Sequence, residues 1–236
     1  MNKEQTITLT MQGFWRGIFK ILPLSLFFIP FGLGYGLAAI EKGLSATETI
    51  LISTIVFSGA TQFATLDLWQ ESSMISIMII AFTVSMRFIL FSATIAPWVN
   101  QVSISKRLLG HLTFNDASFA DCYENYKNGK EKDIGVLFGA SFIIWFTWVI
   151  GTVIGVVLGG QITNFAAFGL HALMPCYFTA ILLSCWDRGR VQIIKLVPYI
   201  AAALITIFTK DILPEGWNII SAALSAGILA GLLHGH

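Results

Sequence analysis

Between Thr54 and Thr65 the chain places Thr54, Ser58, Thr61, Gln62 and Thr65 at spacings of 4, 3, 1 and 3. In a helix these residues share one face, with Gly59 beside it. Hydroxyls and an amide on such a face can hold a small polar solute, and Gln62 alone brings two donors and two lone pairs. They can equally bind one helix to another, since Ser, Thr and Gly are common where membrane helices pack. Further along, Arg87 shares a face with Ser76, Thr83 and Thr94. A guanidinium presents a planar fork of donors that fits a carboxylate. Three roles are open to it: partner of a substrate carboxylate, half of a structural ion pair with Asp67 or Asp116, or a side chain snorkelling to the membrane surface. Asp67 and Glu71 close the first of these stretches. Shielded from water such a carboxylate can exchange a proton, and at the interface it is simply hydrated.

The elements that position these groups are apolar. The 236 residues are 56% hydrophobic and 11% charged, with a mean hydropathy of +0.76. Soluble domains carry roughly 25% charged residues, so too few remain here to coat a globule. The apolar residues fall into seven blocks, at 18–40, 47–68, 74–98, 133–158, 165–186, 191–209 and 217–233. Blocks of about twenty residues match a hydrocarbon core of roughly 30 Å, and a backbone in lipid must satisfy its own hydrogen bonds, which selects helices. The expected fold is an all-α polytopic membrane protein of about seven transmembrane segments. Its parts are an N-terminal polar or amphipathic segment (1–17), a first repeat (18–98), a polar loop (99–132) holding at most a short amphipathic helix, and a second repeat plus a final helix (133–236).

Two blocks are interrupted. The first holds Pro23, Pro30 and the run Gly32-Leu33-Gly34-Tyr35-Gly36, and the fifth holds Leu173-Met174-Pro175-Cys176-Tyr177. Proline removes a donor and breaks helices, and paired interruptions in two halves mark transporter binding sites, which makes Pro175 and Tyr177 candidates for the site. The bland alternative is a pair of kinks. The stretch 62–69 resembles 177–186, and three segments per copy would invert one copy relative to the other. Gly151, Gly155 and Gly159 form a small-residue face that packs within this chain or docks a partner.

Of the thirteen Lys and Arg other than Arg87, five lie in the polar loop. With seven spans and an outside N-terminus, the cytoplasm receives nine of them, as the positive-inside rule prefers. A first segment that dips in and returns would instead put the N-terminus beside the loop. A net charge of +1 without a basic stripe gives no support for nucleic-acid binding. Cys122, Cys176 and Cys185 have no metal or redox spacing, His234 and His236 alone make no metal site, and no catalytic motif is present. No cofactor and no enzymatic activity are expected.

Several stretches together resemble the AzlC family, the larger subunits of branched-chain amino acid exporters. They are Pro30-Phe31-Gly32-Leu33-Gly34-Tyr35-Gly36 with Gly43-Leu44-Ser45, Phe57-Ser58-Gly59-Ala60-Thr61-Gln62-Phe63 (similar to the family's G-A-x-Q-F core), Met86-Arg87-Phe88-Ile89-Leu90-Phe91-Ser92-Ala93 continuing to Ala96-Pro97, Leu112-Thr113-Phe114-Asn115-Asp116-Ala117-Ser118-Phe119-Ala120, and Phe168-Gly169-Leu170-His171-Ala172-Leu173-Met174-Pro175. The chain departs from the family at Ser85-Met86, where an asparagine is usual, at Phe88, often histidine, and at Ala117, where the loop usually has glutamate. The resemblance implies export of branched-chain or similar apolar amino acids by a secondary transporter, driven by the proton gradient. It also implies a small AzlD-like membrane subunit as partner and a multi-pass position in the bacterial cytoplasmic (inner) membrane. Gly59, Thr61, Gln62, Phe63 and Arg87 become expected substrate contacts. A passive small-solute channel and a membrane scaffold without transport are the rival readings.

The basic loop predicts its own side. In a background without the native cysteines, Asn128→Cys is expected to resist impermeant thiol reagents in intact cells and to react in inverted vesicles. Labelling from outside overturns that orientation.

Overall fold

The computed structural model describes residues 7–66, 68–70, 73–159, 193–209, 212–213 and 217–234. The candidates Asp67, Pro175 and Tyr177, and the fifth block, lie outside them. All regular structure among the described residues is helical, apart from one isolated bridge between Thr8 and Asp133.

Helix α1 (Met11–Ser25) starts at Thr10, whose hydroxyl accepts from the Gly13 N–H. It is followed after a 65° bend by α2 (Phe28–Glu41). Pro23 lies inside α1, two residues before its end, and Pro30 sits in the first turn of α2, where its missing donor costs nothing. The interruption expected in this block is therefore the bend at Leu26–Phe27. The glycine run does not break the helix; it serves packing.

Both halves of the bent pair lie along α9 (Gly135–Gly159). A Cβ added at Gly17 would collide with the Val136 carbonyl, and one at Gly139 with that of Phe14. Further along, Gly32 meets the Trp148 carbonyl, Gly151 that of Ile29, and Gly155 that of Leu33. Numbers rise together on the two sides, so α1–α2 and α9 run in the same direction. Helices in lipid gain little from burying apolar surface and associate by close contact, which the missing side chains permit. The face of Gly151 and Gly155 is thus used within this chain. An inversion pairing the first block with the fourth would set them antiparallel, which is not how they run.

The second block does not cross. Helix α3 (Ala46–Ile55) starts on a capping box formed by Ser45 and Glu48 and runs inward. It stops at Val56–Ser58, and α4 (Gly59–Leu66) turns back. Gln70 after it donates to the Lys42 carbonyl before it, at 2.8 Å. Both ends of the block therefore sit at one end of the molecule. This corrects the expectation of a continuous span and a single polar stripe.

Helices α5 (Met74–Ser85) and α6 (Arg87–Val99) together form a 26-residue apolar path with the length and composition of a span, broken only at Met86. The expected polar loop is a second hairpin. Helix α7 (Ile104–Leu112) leads inward and α8 (Asp116–Lys127) leads back, its N-cap Asn115 accepting from the Ser118 N–H. At its open end Tyr126 donates to the Asp133 carbonyl at 2.7 Å, whereas Ser118 bonds Ser141, well inside α9, at 2.8 Å. At 1.5 Å per residue, the hairpin enters by about 12 Å between those two contacts. Lys20 pairs with Asp121 at 2.5 Å and Arg16 with Glu131 at 3.4 Å. The start of α1 and the loop thus share one end of the molecule, but it is the second block, not the first, that dips and returns. Helices α10 (Ile193–Thr209) and α11 (Trp217–His234) pack on each other.

Among the described residues, two helices, or three counting the bent pair, have the length and composition of membrane spans. Their outward faces carry exposed Phe19, Phe82, Leu90 and Val157, which lipid would cover.

The glycine contacts make a sharp prediction. Gly155→Ala overpacks the α2–α9 seam, at a cost of about 1–3 kcal/mol, and should lower the thermal midpoint in detergent. Gly231→Ala, where nothing stands within 4 Å, should leave it unchanged or raise it by helix propensity. Equal behaviour of the two variants contradicts the seam.

Candidate functional site

The breaks fall at one depth. The α1–α2 bend, the α3–α4 tip, the start of α6 and the α7–α8 tip all surround the middle of α9. Trp145 of α9 donates to the Thr54 carbonyl at 3.1 Å, satisfying an acceptor at the end of α3. A helix end in lipid exposes donors or acceptors that must be answered locally. Here the ends answer one another and leave between them a small, largely apolar chamber with a few polar and charged groups on its wall.

Its walls are Phe28 and Phe31 from α2, Phe57 to Ala60 from the first tip, Arg87, Asn115 to Ala117 from the second tip, and Trp148. Arg87 Nη2 lies 3.3 Å from Asp116 Oδ2 and donates to Ser58 Oγ at 3.2 Å. The guanidinium also stands 5.2 Å from the centre of the Phe88 ring. The ion pair is half-buried. Sequence alone left Asp67 and Asp116 open as partners; among the described residues Asp116 holds that place, from a hairpin read as a surface loop.

Donors outnumber acceptors in the chamber. Arg87 Nε and Trp148 Nε1 are both buried and meet no acceptor among the described residues. Gly59 and Ala60, the first residues of α4, line the same space, and a helix start favours an anion. Asp116 supplies the opposite charge. The arrangement therefore offers donors to a carboxylate, a carboxylate to a cation, and aromatic surface to an apolar group, in one space.

Gly59, Arg87 and Asp116 come together here. Thr61 and Gln62 do not line this chamber but the neighbouring cavity, with Tyr35, Leu66, Trp69 and Ile77. Gln62 donates to the Val56 carbonyl at the break, while its Oε1 is buried and unanswered. Thr61 bridges Ser58 at 2.8 Å and Ser85 at 3.0 Å. Phe63 packs edge-on against Tyr35, with ring centres 5.7 Å apart. Sequence reasoning missed Phe28, Phe57, Asn115 and Trp148. The aromatic ones look like any lipid-facing residue in an apolar block, and only the second tip places Asn115.

The ion pair predicts a coupled pair of stability effects. Arg87→Gln leaves Asp116 without its cation and should cost about 2 kcal/mol. Arg87→Gln with Asp116→Asn should recover most of that, read as thermal midpoints in detergent. Additive losses in the double variant would show that the two side chains do not support each other.

Residues 23–162, more than half of the chain, match the family described as AzlC protein. The chain is 28% identical over 228 residues to the inner membrane protein YgaZ of Escherichia coli (strain K12), covering 93% of this chain and 88% of that one. It is also 28% identical over 149 residues to a membrane protein of Archaeoglobus fulgidus, covering 63% of this chain and 64% of that one. A membrane protein of Helicobacter pylori is 21% identical over 160 residues, 66% of this chain and 68% of its own. No solved structure matches. With the family match, the helical spans and an inner-membrane homologue together, this chain is a helical membrane protein that belongs to the AzlC family.

Proposed function

We propose that the chain is the larger subunit of a secondary transporter that exports branched-chain or similar apolar amino acids across a bacterial inner membrane. One observation carries this reading: two buried donors without acceptors, Arg87 Nε and Trp148 Nε1, share a chamber with the Asp116 carboxylate and aromatic walls. A zwitterion answers each of these. Its carboxylate takes the Arg87 fork and the Trp148 N–H, its ammonium takes Asp116, and its hydrocarbon side chain rests on Phe28, Phe31 and Phe57. Binding then exchanges one ion pair for two, so the site is never left with an isolated charge, which in a low dielectric would cost several kcal/mol.

The family is implicated in branched-chain amino acid export, which favours the same substrate class. Coupling to the proton gradient is part of this reading, with Asp116 as the carboxylate of the chamber. Gln62, with its unanswered oxygen, lines the path from the chamber toward the far end. The small AzlD-like subunit remains the expected partner, and the basic end, with the α7–α8 hairpin, is assigned to the cytoplasm.

The test is counterflow in proteoliposomes of labelled valine, leucine, isoleucine and methionine, with and without the small subunit. A carrier shows saturable uptake driven by unlabelled substrate inside, and Arg87→Lys should weaken apparent affinity at least tenfold while abundance holds. Linear, unsaturable flux would make the protein a channel. No flux with the subunit present would leave a scaffold.

A further inference from the structure

The two re-entrant hairpins share more than shape. At the first tip the sequence reads Phe57-Ser58-Gly59-Ala60-Thr61, and at the second Phe114-Asn115-Asp116-Ala117-Ser118. Phe, a small polar N-cap, Ala and a hydroxyl recur in the same order. Each tip also ties its N-cap position to the residue three later, though through different atoms: Ser58 Oγ bonds Thr61 Oγ1 at 2.8 Å, whereas Asn115 Oδ1 accepts from the Ser118 backbone N–H at 3.0 Å. The Thr61 and Ser118 hydroxyls then each reach the crossing helix that follows their hairpin. Thr61 bonds Ser85 at 3.0 Å, and Ser118 bonds Ser141 at 2.8 Å. Even the starts agree, with Ser45 and Ser103 as N-caps of the inbound helices.

The two copies enter from opposite ends. Gln70 ties the first hairpin's flanks together beside the end of α2, while the second opens beside the start of α1. The crossing paths after them, α5–α6 and α9, also run in opposite directions. A repeated unit, reversed across the membrane, accounts for all of this with one rule. It also explains why the charges are unpaired by the repeat: Asp116 stands where the first copy has Gly59, and Arg87 has an isoleucine at its counterpart in α9. Each copy contributes one charge to the shared chamber.

We propose that residues 45–99 and 103–159 are inverted copies of one hairpin-plus-span unit, and that their tips are the two gates of the chamber. Thr61–Ser85 latches the gate of the first hairpin and Ser118–Ser141 that of the second. Opening one hairpin exposes the chamber to its own end while the other stays bonded to its span. This pairing of 45–99 with 103–159 differs from the longer repeat, 18–98 with 133–236, expected from sequence. The inversion stands by itself, while the gating rests on the transport reading.

Two experiments on the full chain, without native cysteines, separate them. Single substitutions Glu41→Cys and Gln70→Cys flank the first hairpin, and Gln101→Cys and Lys130→Cys flank the second. With an impermeant thiol reagent on sealed vesicles, the first pair should label from one face only and the second pair from the other. Flanks of either hairpin labelling from opposite faces would mean that it crosses, and the inversion falls. Next, Thr61→Cys/Ser85→Cys and Ser118→Cys/Ser141→Cys are bridged with Hg(II) and released with dithiothreitol. Bridging either pair should cut amino acid counterflow at least tenfold relative to the same variant unbridged, with full recovery on release. Counterflow that survives complete bridging of either pair removes that gate. If unmodified chain with its partner moves no amino acid, the transport reading and the gates fail together, and the labelling result alone decides the inversion.

Discussion

Everything in the structure hangs on the seam between the bent α1–α2 pair and α9. In water two apolar helices would be pushed together by burial, but in lipid the tails are as apolar as the side chains, and only contact itself is gained. The seam maximises contact by removing side chains: Gly17, Gly32, Gly139, Gly151 and Gly155 each let a carbonyl of the facing helix approach where a methyl would stand. Because glycines alternate between the two partners, neither helix can slide without driving a carbonyl into a Cβ. The seam therefore fixes register as well as distance, and it runs the full depth of the bundle.

That fixed register is what makes the broken helices tolerable. A helix end inside a membrane leaves up to four unmade backbone hydrogen bonds, each costing several kcal/mol if left in hydrocarbon. The chain gathers its ends at one depth of α9, where they meet hydroxyls, an indole N–H and a charged pair. Ser53 bonds Thr152 at 2.8 Å and Trp145 reaches the Thr54 carbonyl, so the first tip is held by the same helix that holds the bend. The second tip is held a few turns away through Ser118 and Ser141. Polar groups too costly to scatter through lipid are concentrated, and their concentration is the site.

The Arg87–Asp116 pair shows how stability and function share atoms there. An arginine alone in a membrane helix costs about 2.5–3.5 kcal/mol on insertion scales. Pairing with Asp116 and Ser58 offsets part of this but leaves Nε unanswered. A guanidinium held by one hydrogen bond and one ion pair, fewer contacts than it could make, is well suited to exchange partners. The pair joins the crossing helix α5–α6 to the α7–α8 hairpin, so any change in it is felt by both.

Composition and block length were enough to determine that this is a helical membrane protein, because lipid forbids unpaired backbone and too few charges exist for any other solvent. The type of residue also singled out Arg87, the costliest side chain to bury, and the small-residue face of Gly151 and Gly155. Motif order pointed to the AzlC family. Block length could not tell a crossing helix from two short ones folded back, since both bury about twenty apolar residues; that choice at 47–68 was made by Gln70 reaching Lys42. The polarity of 99–132 suggested a surface loop, yet its polar tip is bonded within the bundle, where Arg87 of α6 and Ser141 of α9 answer its side chains. Which carboxylate meets Arg87, and which of Gly59 and Gln62 shares its chamber, were likewise settled by tertiary contacts alone. A face defined by helical period persists only while the helix does, and the break at Val56–Ser58 turned one stripe into two.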